Sequence, residues 1–229
     1  MKTIGLVGGT GWVSTGDYYR IINEEVNRRL GGLNFARCVL YSLDYGEIDK
    51  RNRARDMDGN AALVVEAAKK VVGAGADCVL LCANTMHLHA ERVRDAVSVP
   101  LIHIASATAR QITLKSMKKV GLLGTKMTME MDFYRRRLND AGIDVLVPEK
   151  DDREYIGHAI DDELVRSQFL PHTKNRFLRI IDGLHTSGAE GIVLGCTEIP
   201  LLIKPGDSDL TLFNTTLIHS LAAVDFALD

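Results

Sequence analysis

The sequence predicts an α/β protein of two pseudo-symmetric lobes, each with a mostly parallel sheet flanked by helices. Three observations carry this reading. Short runs rich in Val, Ile and Leu alternate with longer amphipathic stretches, the pattern of successive βαβ units. Residues 188–198, Gly-Ala-Glu-Gly-Ile-Val-Leu-Gly-Cys-Thr-Glu, repeat the pattern of residues 75–85, Gly-Ala-Asp-Cys-Val-Leu-Leu-Cys-Ala-Asn-Thr. Residues 4–10, Ile-Gly-Leu-Val-Gly-Gly-Thr, are likewise matched by residues 120–125, Val-Gly-Leu-Leu-Gly-Thr, in the same order and at nearly the same offset. Any α/β protein repeats an apolar strand closed by a small-residue turn, so one pair alone says little. Two pairs in order argue for duplication.

Taken in chain order, the first strand is expected at 3–7, where Gly8-Gly9 ends it. Residues 17–30 follow as a helix, with Tyr18, Ile21, Ile22 and Val26 on one stripe. A strand at 37–43, a helix at 60–72 and strands at 77–82 and 100–104 complete the first half. The second half opens with a strand at 119–123, after a helix ending near Lys118. It continues with a helix at 129–139, a strand at 143–147, a helix at 174–184 and a strand at 191–195. The last strand, 211–213, and the last helix, 216–227, are read as returning to the first half. That assigns 1–105 with 207–229 to the first lobe and 106–206 to the second, with crossings near Ser106 and Asp207.

Composition excludes several classes. The chain has 229 residues, is 46% hydrophobic and 25% charged, and contains no low-complexity stretch, as expected of an ordinary globular protein. Its formal net charge of -2 is too small to draw nucleic acid or an anionic membrane, and Arg135-Arg136-Arg137 reads as the solvated face of a helix. No apolar run reaches membrane-spanning length, and the N-terminus enters a strand too early for a signal peptide, so a cytoplasmic location is expected. Cys38, Cys78, Cys82 and Cys196 lack a disulfide framework and read as free thiols.

Ligands of parallel α/β sheets bind at the carboxyl ends of the strands, where loops and helix N-termini present backbone donors. The loops 8–15, 83–87, 125–128 and 196–198 all follow strands and are expected to converge on one cleft between the halves. They carry Thr10, Ser14, Thr15, Asn84, Thr85, Thr125 and Thr197, a wall suited to the carboxylates of a small anionic ligand. The same residue types are favoured as helix N-caps, and the two roles are compatible.

Gly8-Gly9-Thr10 with Ser14-Thr15, Asn84-Thr85-Met86-His87 and Gly195-Cys196-Thr197-Glu198 resemble the cofactor-independent aspartate/glutamate racemases, and the likeness runs over essentially the whole chain. Met1 to Leu6, Thr128-Met129-Glu130, Asp132-Phe133-Tyr134 and Gly195 to Ile199 are similar to the bacterial broad-specificity amino-acid racemase branch. The resemblance implies an acidic amino acid as substrate, no cofactor and no metal, and a homodimer. It also implies two cysteines on opposite faces of the substrate α-carbon, one removing the proton and the other returning one. A thiol's reference pKa of roughly 8.5 can be lowered by a helix N-terminus, which suits such work.

Here only Cys196 has its counterpart. The family's first cysteine directly precedes Asn-Thr, and that position is Ala83; a related bacterial branch carries threonine there. Cys82 stands one residue early, and strand alternation turns it toward the core. Three outcomes are open: slow or one-directional racemisation with Cys196 as acid/base, decarboxylation of a malonate-like acid with Cys196 as proton donor, or binding of an amino acid without turnover. The resemblance also makes Asn52 a polar substrate contact, while Glu198 is a further candidate for substrate binding and an acid/base group placed to tune the thiol. Arg51, Arg53 and Arg55 could clamp a distal carboxylate or form a solvated loop, and Asp161-Asp162-Glu163 occupies the stretch where other members place a lysine. His87-Leu88-His89 lacks further ligands at metal spacing, Glu24-Glu25 reads as a solvated face, and Gly9-x-Gly11 lacks the third glycine of a dinucleotide loop, leaving only Asp44 in its favour.

Overall fold

Apolar runs of four to six residues are too short for helices that bury a face, and in the computed structural model, which describes residues 1–229, they form strands. The chain divides into two compact units, Met1–Ile104 with His219–Asp229, and Ala105–Ile218.

The first unit runs β1 (Ile4–Gly8), α1 (Trp12–Leu30), β2 (Cys38–Ser42), α2 (Tyr45–Arg53), α3 (Met57–Gly73), β3 (Cys78–Leu81), a 3₁₀ turn (Thr85–His89) and α4 (Ala90–Ala96). Its sheet has the order β2-β1-β3, all parallel, with Leu6 opposite both Leu40 and Leu80. Side-chain alternation divides the core. Ile4, Leu6, Cys78, Leu80 and Cys82 pack with Tyr18, Ile22 and Val26 of α1, and with Ala223, Val224 and Ala227 from the chain's last helix. Val7, Val79, Leu81 and Ala83 pack with Val64, Ala67, Ala68 and Val71 of α3. Each fully buried aliphatic side chain contributes about 1.5–3 kcal/mol, so both faces hold the helices in place.

The second unit comprises most of α5 (Ile104–Leu114), β4 (Lys119–Gly124), α6 (Lys126–Glu130), α7 (Asp132–Asn139), β5 (Asp144–Leu146), α8 (Lys150–Asp162), a 3₁₀ turn (Leu164–Arg166), α9 (Pro171–Thr186), β6 (Gly191–Gly195), α10 (Ile199–Leu202), β7 (Thr211–Asn214) and the start of α11 (Thr215–Leu228). Its order is β5-β4-β6-β7, again all parallel. The two topologies correspond strand for strand, with β2-β1-β3 matching β5-β4-β6. The counterpart of β7 in the first unit is reduced to a single parallel bridge, Val79 to Leu101. Pro100 has no N–H to donate, and α5 begins at Ile104, so the strand expected at 100–104 has no room to extend.

Other expectations change as well. The strand at 211–214 pairs with β6, Gly191 opposite Thr211 through Leu194 opposite Asn214, and not with the first sheet. The chain therefore passes between units inside α11, at Ile218/His219, and at Ile104/Ala105, each within a helix that follows the fourth strand position. The helix expected at 129–139 is two, α6 and α7, because Met131 adopts an extended conformation between them. Helices α2, α4, α8 and α10 were not anticipated. No helix is long and apolar enough to cross a membrane.

Two buried histidines brace the first unit. His219 Nε2 lies 2.6 Å from the carbonyl oxygen of Ile102, and its Nδ1 lies 2.8 Å from the Tyr18 hydroxyl. A carbonyl can only accept, so Nε2 carries the proton and Tyr18 donates to Nδ1. His87 Nδ1 faces the Ala83 carbonyl at 3.0 Å, and its Nε2 accepts from the Ile104 N–H at 3.2 Å. Both rings are neutral: burial lowers the pKa of His219 to about 4, and burial with the neighbouring His103 and His219 drives that of His87 well below its ordinary value. The folded pKa of His219 lies below the unfolded one, so the unfolded chain takes up the proton first on acidification. Its contribution is complete above about pH 6.5 and lost as the pH falls toward 4. Urea unfolding should show wild type losing up to about 3 kcal/mol more than His219→Gln across that window; equal pH slopes would count against the neutral assignment.

Candidate functional site

In the first unit β1 delivers Gly8 to the carboxyl edge, where Gly9 has φ +95 and a Cβ would lie 2.1 Å from the Leu43 carbonyl oxygen. Only glycine fits there. The loop is then fastened from inside the first turn of α1. Thr15 Oγ1 accepts from Gly9 N at 3.0 Å and donates to Gly11 O at 2.9 Å, and Ser14 Oγ donates to the same carbonyl at 2.8 Å. The helix N-cap itself is Gly11, so Ser14 and Thr15 act as braces. Thr10, half-buried, places its hydroxyl 3.5 Å from Met86 Sδ.

At the end of β3 the two candidate positions separate. Cys82 is fully buried against β1 and α1, and burial pushes its thiol well above the ordinary range. Ala83 lies in the other cluster, beside Met86 and Val64. Asn84 and His87 are buried and Thr85 is partly open. Both His87 ring nitrogens meet backbone groups, and no group of three or more His, Cys, Asp or Glu is placed to hold a metal.

On α2, Asn52 Oδ1 accepts from Asn60 Nδ2 at 2.7 Å. Arg51 and Arg53 point along the helix surface toward Glu47 and Asp49, at 3.8 and 2.9 Å, and Arg53 is 80% exposed. Arg55 is exposed in the turn that follows. The solvated reading of this basic stretch therefore fits the structure. Asp44 caps α2, accepting from Gly46 N at 2.9 Å.

In the second unit Thr125 is the N-cap of α6, its Oγ1 accepting from Thr128 N at 3.3 Å. Cys196 follows β6, and its Sγ donates to Glu198 Oε2 at 2.9 Å; the Thr197 hydroxyl donates to the same oxygen, also at 2.9 Å. All three side chains are buried. Burial first, then the charge and hydrogen bond of Glu198, push the Cys196 thiol well above its ordinary pKa, and the charge of Asp161 adds to this. That reverses the lowering expected from a helix N-terminus. The helix that follows has four residues, too short to outweigh a buried carboxylate at hydrogen-bond distance. From the sequence alone Met86 has no role of its own within the Asn84-Thr85-Met86-His87 motif, and Asn60 none beyond opening a helix. The signal for Asn60 was an amide on the apolar stripe of α3, one turn before Val64.

Residues 7–224 match the family described as Asp/Glu/Hydantoin racemase. The broad specificity amino-acid racemase RacX of Bacillus subtilis (strain 168) is 23% identical over 93% of this chain and 92% of its own. The crystal structure of a candidate Asp/Glu racemase from Yersinia pestis is 43% identical, covers 100% of both chains and superposes with a TM-score of 0.94. An aspartate racemase homologue from Pyrococcus horikoshii OT3 is 34% identical over 100% of both chains, with a TM-score of 0.86.

Removing the carboxylate charge should return the thiol toward its ordinary range. In Glu198→Gln, alkylation of Cys196 by iodoacetamide, followed by peptide mass mapping, is expected to begin at lower pH than in wild type by one unit or more, roughly the worth of one buried charge at this range. An unchanged pH profile would remove Glu198 as the cause.

Proposed function

This chain belongs to the Asp/Glu/hydantoin racemase family, and from that premise we propose that it exchanges and inverts the α-proton of an amino acid, aspartate or glutamate, without a cofactor, with Cys196 as acid/base. The observation that carries the reading is the buried Cys196–Glu198 contact at the carboxyl end of β6, 2.9 Å from sulfur to oxygen. At rest the thiol is protonated and can hand its proton to a carbanion, becoming a thiolate. For the reverse step Glu198 takes the thiol proton, and the thiolate then takes the proton of the breaking Cα–H bond. Both directions balance, and neither needs an electron sink.

The carbanion still requires donors around the α-carboxylate. Ser14 and Thr15 are committed to their own loop, so they serve by fixing the backbone of residues 9–11. Thr10 and Thr85, both partly open, are the hydroxyls left to meet a carboxylate, alongside Asn84, with Thr125 and Thr197 shaping the second unit's share. Ala83 stands where the family's first cysteine would, and its methyl group has no exchangeable proton. Water or a hydroxyl must act on that face, which makes inversion slow.

The same methyl group favours one other reading, an amino-acid-binding relative without turnover; saturable binding with no α-proton loss would select it. Proton NMR of L- and D-aspartate and L- and D-glutamate in deuterated buffer decides between them. Cys196→Ala should abolish α-proton exchange, and Ala83→Cys should raise inversion by about 10²- to 10⁴-fold, the worth of a positioned acid or base. An Ala83→Cys variant no faster than wild type, with Cys196→Ala still active, would sink the proposal.

A further inference from the structure

We infer that Asn60, held against Asn52, is a positioning residue that selects the substrate's side chain and favours a carboxamide over the corresponding carboxylate. This rests on the racemase reading of the site and moves its preferred substrate from glutamate and aspartate to their amides. Asn60 lies in the first turns of α3, whose N-terminus stands at the carboxyl edge of the first sheet because the helix runs back against the strands. One turn later on the same stripe Val64 shares a cluster with Ala83 and Met86, and Met86 meets the hydroxyl of Thr10. Asn60 therefore belongs to the same edge as the residues assigned to the substrate.

Asn60 is 3% exposed. Its Nδ2 donates to Asn52 Oδ1 at 2.7 Å, and its Oδ1 is buried with no hydrogen-bond partner in the protein. Leaving such a group unmatched is costly, so it marks a position where a ligand group is missing from the account. The orientation of an asparagine amide is an assignment, so the flipped pair must be weighed too. In the first arrangement Asn60 shows an acceptor and Asn52 retains its amide donors. In the second Asn52 donates to Asn60, which then shows a donor, and Asn52 shows an acceptor. Either way the pair offers one donor and one acceptor.

A carboxylate brings acceptors only and leaves the pair's acceptor facing negative charge. A carboxamide brings both and satisfies either arrangement. The cations of α2 do not offset this: Arg51 and Arg53 are turned to Glu47 and Asp49, and Lys50 is exposed.

The test uses the full chain and reads binding as well as turnover, because Ala83 slows the latter. Calorimetric titration should show glutamine binding about tenfold more tightly than glutamate, and asparagine more tightly than aspartate, on the scale of one matched buried hydrogen bond. Asn60→Leu and Asn52→Leu should each bring that ratio to about one, act on KM and leave kcat, and not add in the double variant. Alanine, with no distal group, should be unaffected. Asn60→Asp keeps the shape, shows only acceptors and can be bonded to Asn52 only with the Asn52 amide turned to donate; it should weaken glutamate binding further and keep glutamine, which covers the case in which Asn60→Leu fails to fold. Wild type preferring glutamate, or a ratio unmoved in both Asn60→Leu and Asn60→Asp, overturns the inference. Absence of α-proton exchange from every amino acid overturns the racemase reading instead, and the binding ratio still judges the amide pair.

Discussion

Every strand of this protein runs parallel to its neighbours, and that constraint decides where chemistry can occur. A parallel pair needs a return crossing, here helical, so each loop that follows a strand emerges at one edge of its sheet. Most residues assigned to substrate follow β1, β3, β4 and β6, and Asn52 and Asn60 lie on the helices after β2. Close approach at those ends requires side chains to be absent. A Cβ on Gly195 would lie 2.8 Å from the Leu123 carbonyl oxygen, just before Cys196 leaves the strand. The thiol thus projects from the first position after β6 at which a side chain fits.

Parity along a strand is the second constraint, and it separates two adjacent residues by function. Cys82 and Ala83 follow the same strand, yet one packs under α1 and the other toward α3. A thiol at 82 contributes only apolar burial and is held protonated by it. Moving a cysteine by one position is therefore a change of face, with no intermediate. The repeated pattern at 75–85 and 188–198 preserves the backbone device in both units, with a thiol at the matched position in one and a methyl group in the other.

How much of this was legible in the sequence follows from the range of the forces involved. Strands at 4–8, 78–81 and 191–195 and the helices at 57–73 and 171–186 could be read because local hydrophobic period and a small-residue stop define them. The site residues could be placed on loops, since the repeat and the Gly-Gly-Thr and Gly-Cys-Thr-Glu segments fix strand ends. Partner choice could not. Whether 211–214 joins one sheet or the other is decided by its register on β6, and 100–104 fails as a strand because of the proline that starts it and the helix that follows. Direction of the thiol's pKa was also out of reach, since it depends on burial and a through-space carboxylate. Asn60 looked like an ordinary helix residue until its partner on another helix was seen.

The asymmetry between Cys196 and Ala83 has a thermodynamic limit. Enantiomers in water have equal free energies, so no site can shift their final ratio, and kcat/KM must be the same in both directions. One-directional racemisation is thus excluded as a steady state; lopsidedness can appear only in kcat and KM taken separately. It can also appear in isotope content. When the Cys196 thiolate removes a proton, the buried thiol and Glu198 can exchange it before returning a proton to the same face. Solvent hydrogen then enters without inversion. On the chemistry proposed for Cys196, that outcome belongs to the enantiomer whose α-proton points at sulfur. Retention of configuration with wash-in from one enantiomer alone is what the proposed one-thiol chemistry at Cys196 leads to.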